Sequence, residues 1–126
     1  MRSTNNTEIS GTFTRDCSFK PFDSGARVSN GEVAVSRGRM SDYPPVKGWG
    51  SIADALNEHG RKGNTAFIEG VLRTELYPDT HDKQRKLKST FVLIRKLKII
   101  DDRGNTLVEA EEDPRAQDES EDLAAV

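Results

Sequence analysis

The sequence has very few of the residues from which catalytic and metal centres are built. It contains one cysteine, Cys17, and two histidines, His59 and His81, among 126 residues. A single cysteine excludes an internal disulfide, and three such residues spread along the chain are too few for a metal site or a nucleophile–base pair. No glycine-rich phosphate loop occurs either. We therefore expect a protein that is not an enzyme, with no catalytic residue, no metal and no cofactor.

Long apolar stretches are also absent from the sequence. Residues 1–8 are polar, unlike a signal peptide, and no apolar run approaches the roughly 18 residues that cross a membrane. We therefore expect a cytoplasmic protein without a membrane partner. Hydrophobic residues make up 33% of the chain and charged residues 32%. Such a composition supports only a small core, of the size found in a compact barrel of roughly 100 residues.

Charge is distributed unevenly along the chain. Residues 1–108 carry 18 lysines and arginines against 13 acidic residues, whereas residues 109–126 carry one arginine against eight acidic residues. A basic body joined to an acidic terminus is typical of a protein that binds a polyanion. The acidic segment has too little apolar content to fold alone. We therefore predict a binding domain over residues 1–108 and a disordered acidic tail over 109–126, although such a tail can also serve solubility alone.

The apolar pattern predicts an all-β fold with a single helix. Alternation with a period of two indicates five strands, at residues 7–13, 27–36, 46–49, 66–77 and 89–101. Gly70 interrupts the fourth strand and predicts a bulge or a sharp coil there. The helix begins near Ser51 and ends at Gly60. We expect the Ser51 side chain to cap its first turn and the Asp54 side chain to make the reciprocal hydrogen bond of a capping box. Five strands with one helix between the third and fourth is the order of a five-stranded Greek-key barrel, the OB-fold.

Several segments also resemble one known family. Residues 63–74, GNTAFIEGVLRT, are similar to a strand segment of the bacterial-type single-stranded DNA-binding proteins, and the segments around residues 5–16 and 49–63 match that family in the same order. The resemblance covers residues 5–101. It implies sequence-independent binding of single-stranded DNA in replication, recombination or repair, by a nucleoid-associated homo-oligomer, either a tetramer or a dimer. The chain departs from the family pattern at Cys17, where proline is usual, and at Gly31, where an apolar residue is common.

The resemblance also carries over candidate residues for stacking on bases. Single strands are held by aromatic rings under the bases and by a basic groove along the phosphates. The stacking candidates are Trp49, Tyr43, Tyr77, Phe19 and Phe22. Trp49 alternates with Val46 and Gly48, so it should lie on the outer face of its strand together with Lys47; a core tryptophan is the alternative. The alternative for the two tyrosines is a half-buried packing role at strand ends, and one of the two phenylalanines is expected to pack under its turn.

Basic residues near these rings are the candidates for phosphate contacts. They are Lys20, Arg37, Arg39, Lys47, Lys62, Arg73, Lys83, Arg85 and Lys86. Any one of them could instead be an ordinary solvated charge. The tail is expected to compete with nucleic acid and to offer Leu123 and Val126 to replication or repair proteins, but it lacks the acidic-Pro-Phe ending of the family. The alternative function is that of an OB-fold adaptor in a primosome or recombination complex, which acts mainly through protein contacts.

Overall fold

The computed structural model of the chain describes residues 2–112, so most of the predicted tail, with Leu123 and Val126, lies outside the described residues. The polypeptide forms eight strands and one helix in this part of the chain. In order, these are β1 (Thr7–Phe13), β2 (Ser18–Pro21), β3 (Arg27–Arg37), β4 (Met40–Asp42), β5 (Pro45–Trp49), α1 (Ser51–His59), β6 (Thr65–Pro78), β7 (Lys86–Ile100) and β8 (Thr106–Glu111).

The five predicted strands close into a barrel. Strands follow one another in the order β1, β6, β7, β5 and β3, and β3 returns to β1 through the pairs Thr12–Ala34 and Phe13–Val33. All pairings are antiparallel except that between β5 and β7. This is the predicted OB-fold. The additional strands β2 and β4 pair with β3, and β8 pairs with β7.

The third additional strand, β8, changes the predicted domain boundary. Leu107, Val108 and Ala110 of β8 pack against the barrel core. The backbone amide of Glu112 donates to the carbonyl of Arg95 at 2.8 Å. The predicted boundary after residue 108 therefore falls inside a strand. Acidic side chains at alternate positions of β8 made this segment resemble a tail, but its apolar side chains face the core.

The barrel interior is filled by side chains from every strand of the closed ring, and α1 covers one end. Phe13, Ile68 and Ile99 are fully buried there, as are Ile52 and Leu56 of the helix. Burial of these aliphatic and aromatic groups is the main stabilising contribution, at roughly 1.5–3 kcal/mol for each large side chain.

The helix has the predicted extent but not the predicted cap. Gly50 is the N-cap residue, with a φ of 61°, and no side chain caps the helix. Ser51 Oγ instead donates to the carbonyl oxygen of Glu111 at 2.6 Å, and the Asp54 carboxylate pairs with Arg27 at 2.6 Å. The prediction of a Ser51–Asp54 capping box is therefore wrong, because both side chains bind distant elements. Gly60 ends the helix as predicted.

The bulge predicted at Gly70 is confirmed. The pairing of β6 with β7 shifts between Glu69 and Gly70, so Arg95 is the extra residue on β7. Pairing of β6 with β1 reaches no further than Gly70. Beyond that point the β6–β7 hairpin extends away from the barrel, which explains why Leu72 is exposed although it lies on the same side of β6 as the buried Ile68.

Candidate nucleic-acid interface

A second group of apolar side chains lies on the outer face of the sheet. We call it the outer cluster, and its members are Ala26, Val28, Trp49, Val71, Phe91 and Leu93, with Phe22 packed against them. Because side chains alternate along a strand, Val46 of β5 faces the barrel core whereas Trp49 faces the opposite side. The cross-strand pairs Val28–Trp49 and Val71–Leu93 bring members of the cluster side by side. Four segments distant in sequence thus build one apolar surface.

Trp49 lies on the predicted outer face but is not exposed. Only 7% of its surface is accessible, because the ring of Phe22 stacks on it with centroids 5.9 Å apart and an interplanar angle of 19°. The indole ring is therefore covered by Phe22. A base could reach the indole only if Phe22 moved or if the base approached the remaining edge. Its role in stacking stays a prediction.

Two lysines lie next to aromatic rings of this face. Lys47 Nζ is 4.6 Å from the centroid of Phe91, and Lys20 Nζ is 5.1 Å from the centroid of Phe22. Lys47 also binds both carboxylate oxygens of Glu75, at 2.9 and 3.1 Å. Cations interleaved with rings supply the two kinds of contact, to phosphates and to bases, that a single nucleic-acid strand requires.

Other predicted residues fall on the same side of the molecule. Arg73 of β6 pairs with Phe91 across the sheet, so it belongs to the face that carries Lys47, and it already takes part in an interaction. Tyr77 follows on the same strand and is exposed at the end of the hairpin. The charged loop between β6 and β7 carries Lys83 and Arg85 at exposed positions, and Lys86 begins β7 opposite Pro78.

The remaining predicted residues lie elsewhere. Phe19 pairs with Ser29, whose buried side chain faces the inner side of the sheet, so Phe19 is not part of the outer cluster. Lys62 lies in the turn before β6, where its amide donates to Asp16, at the opposite end of that strand from Arg73. Arg37 pairs with Asp42 at 3.3 Å and, like Arg39, is exposed near the β3–β4 turn.

Tyr43 is exposed in the connection between β4 and β5 and has no aromatic partner among residues 2–112. Sequence reasoning also missed two members of this face, Phe91 and Glu75. The only signal for Glu75 was its place two residues after Arg73, which puts both side chains on the same side of β6.

The departure at Cys17 is explained by packing. Its thiol is buried, and a Cβ at Gly31 or at Gly60 would lie 2.6 Å from the sulfur. The cysteine therefore fills the space that a larger residue at position 31 would occupy. Burial raises the pKa of the Cys17 thiol to about 11, so it stays protonated at neutral pH.

Residues 2–112 provide no group of three or more histidine, cysteine or acidic side chains suited to a metal ion. Over the same range, α1 is the single helix and is neither long nor apolar enough to cross a membrane.

Comparison with known proteins gives consistent matches. The model of the Single-strand binding protein family matches residues 4–99. Single-stranded DNA-binding protein 2 of Streptococcus agalactiae serotype III is 33% identical over 97 residues, which cover 68% of this chain and 70% of that protein. Its namesake from serotype V is 38% identical over 69 residues, or 52% of this chain and 48% of that protein.

Single-stranded DNA-binding protein 1 of Chlorobaculum tepidum is 25% identical over 100 residues, which are 72% of this chain and 62% of that protein. The chain therefore spans about half the length of the serotype V relative and less than two thirds of the C. tepidum relative.

Proposed function

Because the chain belongs to the single-strand binding protein family, we propose that it binds single-stranded DNA through the outer cluster and the lysines around it. The observation that carries this proposal is the stack of Phe22 on Trp49, flanked by two lysines. Lys20 lies over the Phe22 ring, and Lys47 lies over the ring of Phe91 in the same cluster. Base stacking contributes roughly 1–3 kcal/mol per base and is indifferent to sequence, since every base has a flat face. The protein would act in replication, recombination or repair as a nucleoid-associated binding protein rather than as an enzyme.

The first test is a titration with oligo(dT). Trp49 is the only tryptophan, so its fluorescence should be quenched as the strand covers the outer cluster. If about five phosphates are neutralised, log K should fall against log salt with a slope near −3.5. A duplex of the same length serves as the control and should bind more weakly. Absence of both binding and quenching would contradict the proposal and favour the adaptor function.

We also propose that the protein forms a homo-oligomer, a dimer or a tetramer, through a different surface. The exposed face of β1, β6, β7 and β8 forms a shallow groove of about 710 Å³. Phe67, 45% exposed, is the most exposed large apolar residue that lines it, and Lys98 Nζ lies 5.9 Å from the ring centroid. Lysines of β7 lie between glutamates of β6 and β8, as in the cross-strand pairs Glu69–Lys96 and Lys98–Glu109. A face with both signs of charge around an apolar centre is complementary to a second copy of itself.

Sedimentation of Phe67→Asp tests this surface. Aspartate removes the apolar ring that two copies would bury against each other, and even beside Lys98, its cross-strand neighbour, a carboxylate loses its hydration on association. The variant should therefore sediment as a smaller species than the wild type. Met40→Asp is the matched control, because Met40 is also an exposed apolar residue but lies on β4, outside the groove. Equal sedimentation of Phe67→Asp and wild type would exclude this face as the interface.

Competition by the acidic tail stays a proposal. A deletion that tests it should begin after residue 112, because removal from residue 109 would cut β8.

A further inference from the structure

A carboxylate lies in the middle of the face that we assign to a polyanion. Glu75 Oε1 is 2.9 Å and Oε2 3.1 Å from Lys47 Nζ, although the two residues are 28 positions apart. The lysine side chain is 16% exposed and the glutamate 31%. The ion pair is therefore partly buried, unlike the well-exposed Arg37–Asp42 pair, and water and salt screen it less.

We propose that Glu75 holds Lys47 in the free protein in the place that a phosphate of the DNA takes in the complex. This inference rests on the proposed function. Carboxylate and phosphate oxygens are the same kind of acceptor for an ammonium group, and both make charge-assisted hydrogen bonds. Glu75 is then an intramolecular competitor of the strand, and it sets how tightly the outer cluster binds.

The surroundings of Lys47 make the competition direct. Its ammonium group lies against the Phe91 ring, with 4.6 Å between Nζ and the ring centroid, so one side of the charge is covered by the protein. Glu75 occupies part of the remaining side, from which a phosphate has to approach. A strand that binds must separate the pair, and the loss of the ion pair lowers the affinity.

The test replaces Glu75 by glutamine, which keeps the shape of the side chain and removes its charge. We expect Glu75→Gln to bind labelled oligo(dT) about tenfold more tightly at 50 mM salt. In this variant Lys47 has no carboxylate to give up when it binds a phosphate, so binding neutralises one more free charge. The slope of log K against log salt should therefore become steeper by about 0.7. Fluorescence anisotropy of the labelled strand measures both quantities.

Two further variants separate this mechanism from others. Glu58→Gln changes the net charge equally, but Glu58 is exposed on α1, away from the outer cluster; it should bind as the wild type does. Lys47→Gln removes the partner, so adding Glu75→Gln to it should bring no further tightening. This double-mutant cycle isolates the part of the effect that passes through Lys47.

Five results would overturn the inference. If Glu75→Gln and Glu58→Gln tighten binding equally, net charge alone is responsible. If Glu75→Gln weakens binding, the carboxylate positions Lys47 for the phosphate instead of competing with it. If the gain persists without Lys47, Glu75 acts by direct repulsion. If wild type and variants all fail to bind oligo(dT), the proposed function is wrong and the inference fails with it, whereas normal wild-type binding with no gain in Glu75→Gln refutes the inference alone.

Discussion

Gly70→Ala should destabilise the barrel by about 3 kcal/mol, at the upper end of what overpacking usually costs. A Cβ at position 70 would overlap the carbonyl oxygen of Leu93 and lie 2.9 Å from its carbonyl carbon. These are backbone atoms of β7, so no side-chain rotation can relieve the contact. Gly70 also lies at the shift in register between β6 and β7, where β6 pairs with β1 on its other side. Urea unfolding followed by circular dichroism measures the change.

Gly104→Ala is the matched control for this variant. Gly104 has a φ of +86°, and no atom outside the glycine and its two chain neighbours lies within 4 Å of the added Cβ, so the substitution introduces backbone strain without a collision. Strain of that kind costs roughly 1–2 kcal/mol. Gly70→Ala should therefore be clearly less stable than Gly104→Ala. Equal stability of the two variants would mean that the bulge opens to accept a side chain.

Trp49→Leu should weaken binding of oligo(dT) by about 1–3 kcal/mol, a factor of roughly five to one hundred and fifty. Leucine keeps apolar contact with the outer cluster but has no ring face on which a base can stack. The buried position of Trp49 means that stability will fall as well, so the folded fraction has to be checked first. Anisotropy of a labelled strand is the appropriate measurement, since the intrinsic fluorophore is lost.

Trp49→Phe distinguishes stacking from packing. Phenylalanine retains a ring that can stack on Phe22 or on a base, and it should retain most of the affinity. If both variants are folded and Trp49→Leu binds as tightly as the wild type, then Trp49 serves only the packing of the outer cluster. The binding face would then have to depend on Tyr77 and the basic residues of the β6–β7 hairpin.

Elements whose signals are local could be predicted from the order of residues alone. Alternation of apolar residues marked the five strands of the barrel, and Gly60 and Gly70 marked the end of α1 and the bulge. A glycine acts through its own backbone, and an amphipathic strand carries its pattern within a few residues. The segments β2 and β4 are too short and polar to carry such a pattern, so they were missed. They are strands because β3 supplies their hydrogen bonds.

The composition of the candidate binding face could not be predicted in this way, because it depends on contacts between distant strands. Nothing within β5 or β6 indicates that Lys47 meets Glu75, or that Phe22 rather than Phe19 covers Trp49. Those contacts depend on the register between strands far apart in the chain, and a change of one residue in register would turn the side chains to the other face. The same holds for β8, whose acidic residues suggested a tail until pairing with β7 placed Leu107 and Val108 against the core. Local sequence patterns therefore indicate the fold, whereas the pairing of distant strands determines which side chains share the candidate site.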